Sequence, residues 1–206
     1  MFQHDIISSK SLIELGVNII ALQEPAINNF GKTITTKDWT PIYPTTHSMH
    51  PENTRSIILV QATLTSNSWQ QLDCPSGDIT IIQLSGLWGK LSIFNIYNDC
   101  QHNQMVNMLT NYHHRNMPSV GVNTSETMHC IWLGDFNRHH PHWDNSSDTR
   151  LFTADVMKEQ RCLSTQFQKL DLKWYSPVAC QHTSTMSQRN GVVSTTSFSL
   201  ITHWTH

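Results

Sequence analysis

Three apolar runs in this chain end in residues suited to metal or phosphate chemistry. Val17–Leu22 runs into Gln23-Glu24-Pro25, Lys90–Tyr97 is followed by Asn98, and Ile131-Trp132-Leu133 leads into Gly134-Asp135-Phe136-Asn137. Side chains at the carboxyl ends of strands in open α/β sheets gather in one crevice, where ligands bind. If these ends meet, Glu24 and Asp135 supply a carboxylate pair for a hard cation. Tyr97, Asn98 and Asn137 then supply a phenol and two amides for a phosphate. Mg²⁺ suits such a site, because it takes one or two carboxylates and keeps several waters. A bound cation of that kind stabilises charge growing on a phosphoryl oxygen and its leaving group. Taken singly, each piece has a plainer explanation. Glu24 before a proline could be a solvated strand end, Gly-Asp-Phe-Asn could be a turn, and Tyr97 could be a core aromatic. Their order, and their places at strand ends, make the set far more specific than its members.

The elements that must carry these residues can be read from apolar spacing. Residues from about Gln3 to Leu15 fit a helix stopped by Gly16. Val17–Leu22 reads as a buried strand, and Pro25 is expected to hold Glu24 extended. Ala26–Arg55, rich in Thr, Asn and Pro, reads as loop. Ser56–Leu64, Ile79–Leu84 and Lys90–Tyr97 read as consecutive antiparallel strands separated by turn residues. Helical spacing returns over Gln101–Tyr112 and again over Thr149–Leu170, with a polar loop at Met117–Met128. Ile131–Leu133 and Val192–Ile201 read as the last strands. Strands interleaved with helices, including a run of three strands, argue for a mixed-sheet α/β or α+β domain.

Composition narrows the class further. The 206 residues suffice for one sizeable core and are short for two domains. Formal charge is −2 with 13 Lys and Arg against 15 Asp and Glu, and no basic run occurs. Tight binding to nucleic acid through phosphate contacts alone finds no support in that balance. The 5 cysteines are odd in number and form no C-x-x-C pair, which fits a reduced intracellular protein. No apolar stretch reaches the ~18 residues of a membrane-spanning helix, and Met1–Asp5 does not resemble a signal peptide.

Ala21-Leu22-Gln23-Glu24-Pro25 resembles the metal-ligand motif of the endonuclease/exonuclease/phosphatase superfamily. Asn95-Ile96-Tyr97-Asn98 resembles its central tyrosine motif, and Trp132–Asn137 its GDFN motif, the most specific of the three. The extension Arg138-His139-His140-Pro141-His142-Trp143 is similar to the endonuclease domains of LINE-type retrotransposons, as is Phe94–Asn98 followed by Asp99-Cys100. The resemblance runs from about Leu12 to Ile201. It implies a single domain built as a four-layer sandwich, two mostly antiparallel mixed β-sheets flanked by helices. It further implies Mg²⁺, or Mn²⁺, at Glu24, a phosphate contact from Tyr97, an attacking water activated by Asp135, and Asn137 holding that water and the scissile phosphate. Asn98, Arg138 and His139 become substrate-binding candidates. The implied substrate is DNA, nicked by a monomer that a reverse-transcriptase domain accompanies in a complete element, with a nuclear location.

The sequence also departs from that family. Its members begin with a strand bearing an Asn near the metal, whereas this chain opens inside its first helix, so that strand is expected to be missing and its neighbour left unpaired. Ser197 stands where the family carries Asp, and a hydroxyl cannot replace that charge. The family's closing Asp-His pair has no counterpart, since His203 and His206 follow Ser197 too closely to have crossed the sheet and returned. Loss of a positioned general acid/base costs about 10²–10⁴ in rate. The expectation is therefore a phosphodiesterase with impaired turnover; the alternative is a catalytically inactive remnant with weak nucleic-acid binding. A zinc site at His139, His140, His142 and Asp144 is a weaker rival, because structural zinc draws ligands from two separated pairs.

Overall fold

The computed structural model describes residues 10–99, 104–116, 128–137, 150, 153, 154 and 198–201. Nearly all of them lie in one compact unit, Met1–Asn137 with Ser197–His206, while Arg138–Thr196 form a second.

In the first unit, alternation along Ile- and Val-rich segments sets the strands and their faces. In chain order the elements are α1 (Lys10–Glu14), β1 (Ile19–Gln23), β2 (Trp39–Ile42), β3 (Ser56–Gln61), β4 (Trp69–Leu72), β5 (Ile79–Gly86), β6 (Gly89–Tyr97), α2 (Gln104–Asn116), β7 (Met128–Asp135) and β8 (Phe198–Ile201). They make two four-stranded sheets, ordered β2-β3-β1-β8 and β4-β5-β6-β7. All described pairings are antiparallel except β6 with β7. That parallel pair needs a crossover, and α2 lies in the connection.

Ile19, Ile42, Ile58 and Val60 of the first sheet pack with Ile82 and Ile93 of the second, forming the core between the sheets. The alternate residues Ile20, Leu22, Ile57 and Leu59 join Val17 and Trp39 on the outer face, where Leu12 of α1 covers them. On the outer face of the second sheet, Phe94 meets Tyr112 of α2 edge-on at 5.6 Å and stacks on His113 at 5.5 Å between centroids. Helix, sheet, sheet and helix give the four layers expected.

Several sequence expectations change. The segment expected to be loop contains β2, and Trp69–Leu72 forms β4, which places β3 and β5 in different sheets. Among the described residues both overlooked strands are sheet edges, where Pro41 and the exposed Gln70 and Gln71 are tolerated because one side shows no ladder to maintain. β1 is not left unpaired, because β8 lies along it with Leu22 opposite Phe198 and Ile19 opposite Ile201. The N-terminal helix is described only over Lys10–Glu14, and the predicted Thr149–Leu170 helix falls largely outside the described residues. No helix among the described residues is long and apolar enough to cross a membrane.

Candidate functional site

The carboxyl ends of β1, β6 and β7 and the amino ends of β3 and β5 all fall at one end of this unit. The registers show it within each sheet, Gln23 pairing with Ser56, Ile79 with Ile96 and Tyr97 with Asp135, and hydrogen bonds from Tyr97 to Glu24 and from Asn95 to Leu22 join the two. Residues just past or just before those ends are Glu24, Arg55, Asp78, Asn98 and Asp99.

Beneath them lies a buried polar seam joining the sheets. Asn95, fully buried, donates from Nδ2 to the carbonyls of Leu22 at 2.8 Å and Ile57 at 2.7 Å, and its Oδ1 accepts from Gln23 Nε2. Ser56 Oγ donates to the Asn95 carbonyl at 2.9 Å, and Thr80 Oγ1 donates to the Ser56 carbonyl at 2.8 Å. Polar groups buried between two apolar sheets are tolerated only when bonded in this way. The seam locks β1, β3, β5 and β6 together one or two residues below the strand ends.

Glu24 is exposed, and the Tyr97 hydroxyl donates to its Oε1 at 2.7 Å. Its N–H donates to the Arg55 carbonyl at 2.8 Å. The expected extended backbone is not found: Glu24 has φ 47°, left-handed despite the following proline. The Arg55 and Tyr97 bonds hold it there and override the local preference that Pro25 sets. Tyr97 is held as a phenol, its pKa pushed up to about 12 by burial first, then by its hydrogen bond to Glu24 and that carboxylate's field, with Asp135 adding to the effect and Arg55 opposing it. The Glu24 and Asp135 carboxylates therefore both act on one phenol.

The GDFN turn is built from the chain itself. Gly134 has φ 140°, and a Cβ there would sit 1.8 Å from the Ile96 carbonyl oxygen, so only glycine lets β7 approach β6. Asp135 Oδ1 accepts from the Asn137 N–H at 2.9 Å, closing an Asx turn that puts Asn137 at φ 46°. Asn137 Nδ2 donates to the Asn98 carbonyl at 2.8 Å, and Asn98 Nδ2 donates to the Phe136 carbonyl at 2.8 Å. The Asn98 N–H donates to the Asp135 carbonyl at 2.9 Å. Asn98 is buried and its Nδ2 is spent on the turn, bracing Asp135 and Asn137, while its Oδ1 has no partner among the described residues.

Glu24, Tyr97, Asn98, Asp135 and Asn137 are thus brought to one end of the unit. Arg138, His139 and Ser197 lie outside the described residues, as do His140, His142 and Asp144. Arg55 and Asp78 escaped the sequence reading, and Asp99 entered it only within the likeness to LINE-type domains. Arg55 and Asp78 immediately precede β3 and β5, and an antiparallel strand starting where β1 ends would have drawn attention to both.

The donor set suits a hard cation. Glu24 offers an exposed carboxylate with one oxygen engaged by the Tyr97 phenol, and Asp135 is the register partner of Tyr97 on β7. No group of three or more His, Cys, Asp or Glu that could hold a metal occurs among the described residues.

Two mostly antiparallel sheets packed face to face and covered by helices are consistent with an α/β endonuclease fold. The family described as endonuclease-reverse transcriptase matches residues 91–200, more than half of the 206. The chain belongs to that family. Among solved structures it is similar to the endonuclease domain of TRAS1, a telomere-specific non-LTR retrotransposon, with 12% identity and a TM-score of 0.46 over 72% of this chain. The match spans 61% of that domain. No curated protein matches.

Proposed function

We propose that this chain is a divalent-cation-dependent phosphodiesterase that nicks DNA, with turnover lowered by Ser197 at a position the family fills with Asp. The observation that carries the proposal is the Tyr97 hydroxyl on Glu24 at 2.7 Å while Tyr97 pairs in register with Asp135. That arrangement supports the reading by bringing Glu24, the Tyr97 hydroxyl and Asp135 to one set of strand ends. Bound at Glu24, Mg²⁺ or Mn²⁺ would supply Lewis-acid stabilisation of charge on the phosphoryl oxygens.

Asp135 accepts a proton from the attacking water, and its own orientation is fixed by the Asn137 N–H. In this reading Asn137, whose Nδ2 is tied to the Asn98 carbonyl, holds the water and the scissile phosphate. Tyr97, kept protonated well beyond neutral pH, donates to a phosphate oxygen once substrate competes for its hydroxyl. The resemblance extends substrate binding to Arg138 and His139.

The test is metal-dependent conversion of supercoiled plasmid to open circle, expected to fall at least about 10²-fold in Glu24→Ala and Asp135→Ala. Absence of nicking at high protein concentration with Mg²⁺ and with Mn²⁺ refutes the reading. It then favours a catalytically inactive domain with weak nucleic-acid binding, the reading that Ser197 and the net charge of −2 support.

A further inference from the structure

We propose that Arg55 is a positioning residue, holding Tyr97 and Glu24 in the arrangement that the proposed cleavage uses. The inference rests on that reading of the site and adds a residue to it. Arg55 engages both partners by separate means. Its carbonyl accepts the Glu24 N–H at 2.8 Å, and its own N–H donates to the Gly77 carbonyl at 2.9 Å, tying the end of β1 to the start of β5. Its guanidinium lies 5.0 Å from the centroid of the Tyr97 ring. A cation over an aromatic face at that distance is attracted to the ring and fixes its plane.

The guanidinium is itself clamped. Nε donates to Asp78 Oδ1 at 2.6 Å and Nη2 to Asp78 Oδ2 at 2.8 Å, a two-pronged contact, and Asp99 Oδ2 stands 3.7 Å from Nη1. Burial works against the charge, but Asp78, then Asp99 and Tyr97, outweigh it and hold the pKa above its ordinary value. The Asp78 carbonyl accepts the Tyr97 N–H at 2.9 Å. One residue thus anchors the backbone of Tyr97 and the cation beneath its ring. The fork spent on Asp78 is what a phosphate would otherwise claim, which separates Arg55 from a substrate clamp. A 1 Å error in Tyr97 moves the hydroxyl out of hydrogen-bond range of Glu24.

The test combines plasmid nicking with NMR of tyrosine labelled at the ring carbon bearing the hydroxyl. Arg55→Met is expected to lower kcat by about 10–10²-fold with KM nearly unchanged. In a Tyr97→Phe background the same substitution is expected to have at most about a third of that effect on a logarithmic scale, because it acts through Tyr97. Arg55→Lys retains charge without the fork and should fold while recovering little activity. Additive losses overturn the proposal, as does a loss confined to KM that steepens with salt, the mark of direct phosphate contact.

The NMR arm is independent of turnover. Glu24→Gln should displace the Tyr97 signal, identified by its disappearance in Tyr97→Phe. The displacement should shrink by about half or more when Arg55 is Met or Lys. An equal displacement with and without Arg55 overturns the positioning role even if the wild-type chain nicks DNA. No nicking by the wild type, with the coupling intact, rejects the cleavage proposal and leaves the Arg55 geometry standing.

Discussion

Replacing Asn95 by Leu tests whether the buried seam holds the two sheets together beneath the site. The side chains share the same branched skeleton and leucine is the bulkier, so none of the loss comes from an empty cavity. Three side-chain hydrogen bonds disappear: Nδ2 to Leu22 O, Nδ2 to Ile57 O, and Gln23 Nε2 to Oδ1. At about 1 kcal/mol net for each, the direct loss is about 3 kcal/mol. Gln23, 1% exposed, would then keep a buried amide without its acceptor, adding about 1–3 kcal/mol, and its Oε1 already lacks a partner among the described residues. The sum of about 4–6 kcal/mol is comparable to the whole stability of a marginal domain, about 5–15 kcal/mol. Equilibrium unfolding in urea, followed by tryptophan fluorescence, reads it directly, with unchanged slope required for the comparison. A loss below about 1 kcal/mol would refute the reasoning, since it would mean that the seam contributes no more than an ordinary apolar contact.

Gly134→Ala is expected to cost roughly 3–5 kcal/mol and to abolish nicking, because the new Cβ meets backbone atoms of Ile96 that cannot swing aside; thermal unfolding of the variant checks it. His113 is 7% exposed, and burial first, then neighbouring His114, brings its pKa down to about 4. With an unfolded value near 6.5, the unfolded chain binds the proton first. The contribution is therefore whole above pH ~6.5 and is lost as pH falls towards 4, to a limit of about 3 kcal/mol. In His113→Phe, urea midpoints measured between those pH values should decline less steeply than in the wild type.

Much of the site was legible because its residues terminate apolar runs. Glu24, Tyr97 and Asp135 each follow a stretch that can only be a buried strand, and the strand ends fix where the side chains go. Arg55 and Asp78 were hidden for the opposite reason: they precede strands, inside stretches whose Thr, Pro and Gly content reads as loop. β2 and β4 were missed because edge strands need no continuous apolar pattern, so Pro41 and Gln70 disguised them. Asn95 stood in a recognised motif, yet its role depends on Leu22 and Ile57, 73 and 38 residues away in sequence. No spacing rule reaches contacts of that kind, and only the packed sheets reveal them. The backbone of Glu24 shows the same limit, since the local effect of Pro25 yielded to two tertiary hydrogen bonds.

Among the described residues, the non-glycine positions with positive φ are Glu24 at 47° and Asn137 at 46°. Each costs of order 1–3 kcal/mol unless surrounding contacts impose it. Asparagine tolerates the left-handed region because its amide can bond locally, and at Asn137 the Asx turn to Asp135 does part of that work. Glutamate has no such advantage, so its conformation depends on Arg55 from below and Tyr97 from the side. A stability-driven choice at position 24 would be glycine, which adopts this φ without strain. The carboxylate instead stands exposed at a strained position, braced by a phenol that is itself braced by a clamped guanidinium. That arrangement places strain and support on the same few atoms at the strand ends. A solvated loop residue would need neither, and that is the backbone's support for the role proposed for Glu24.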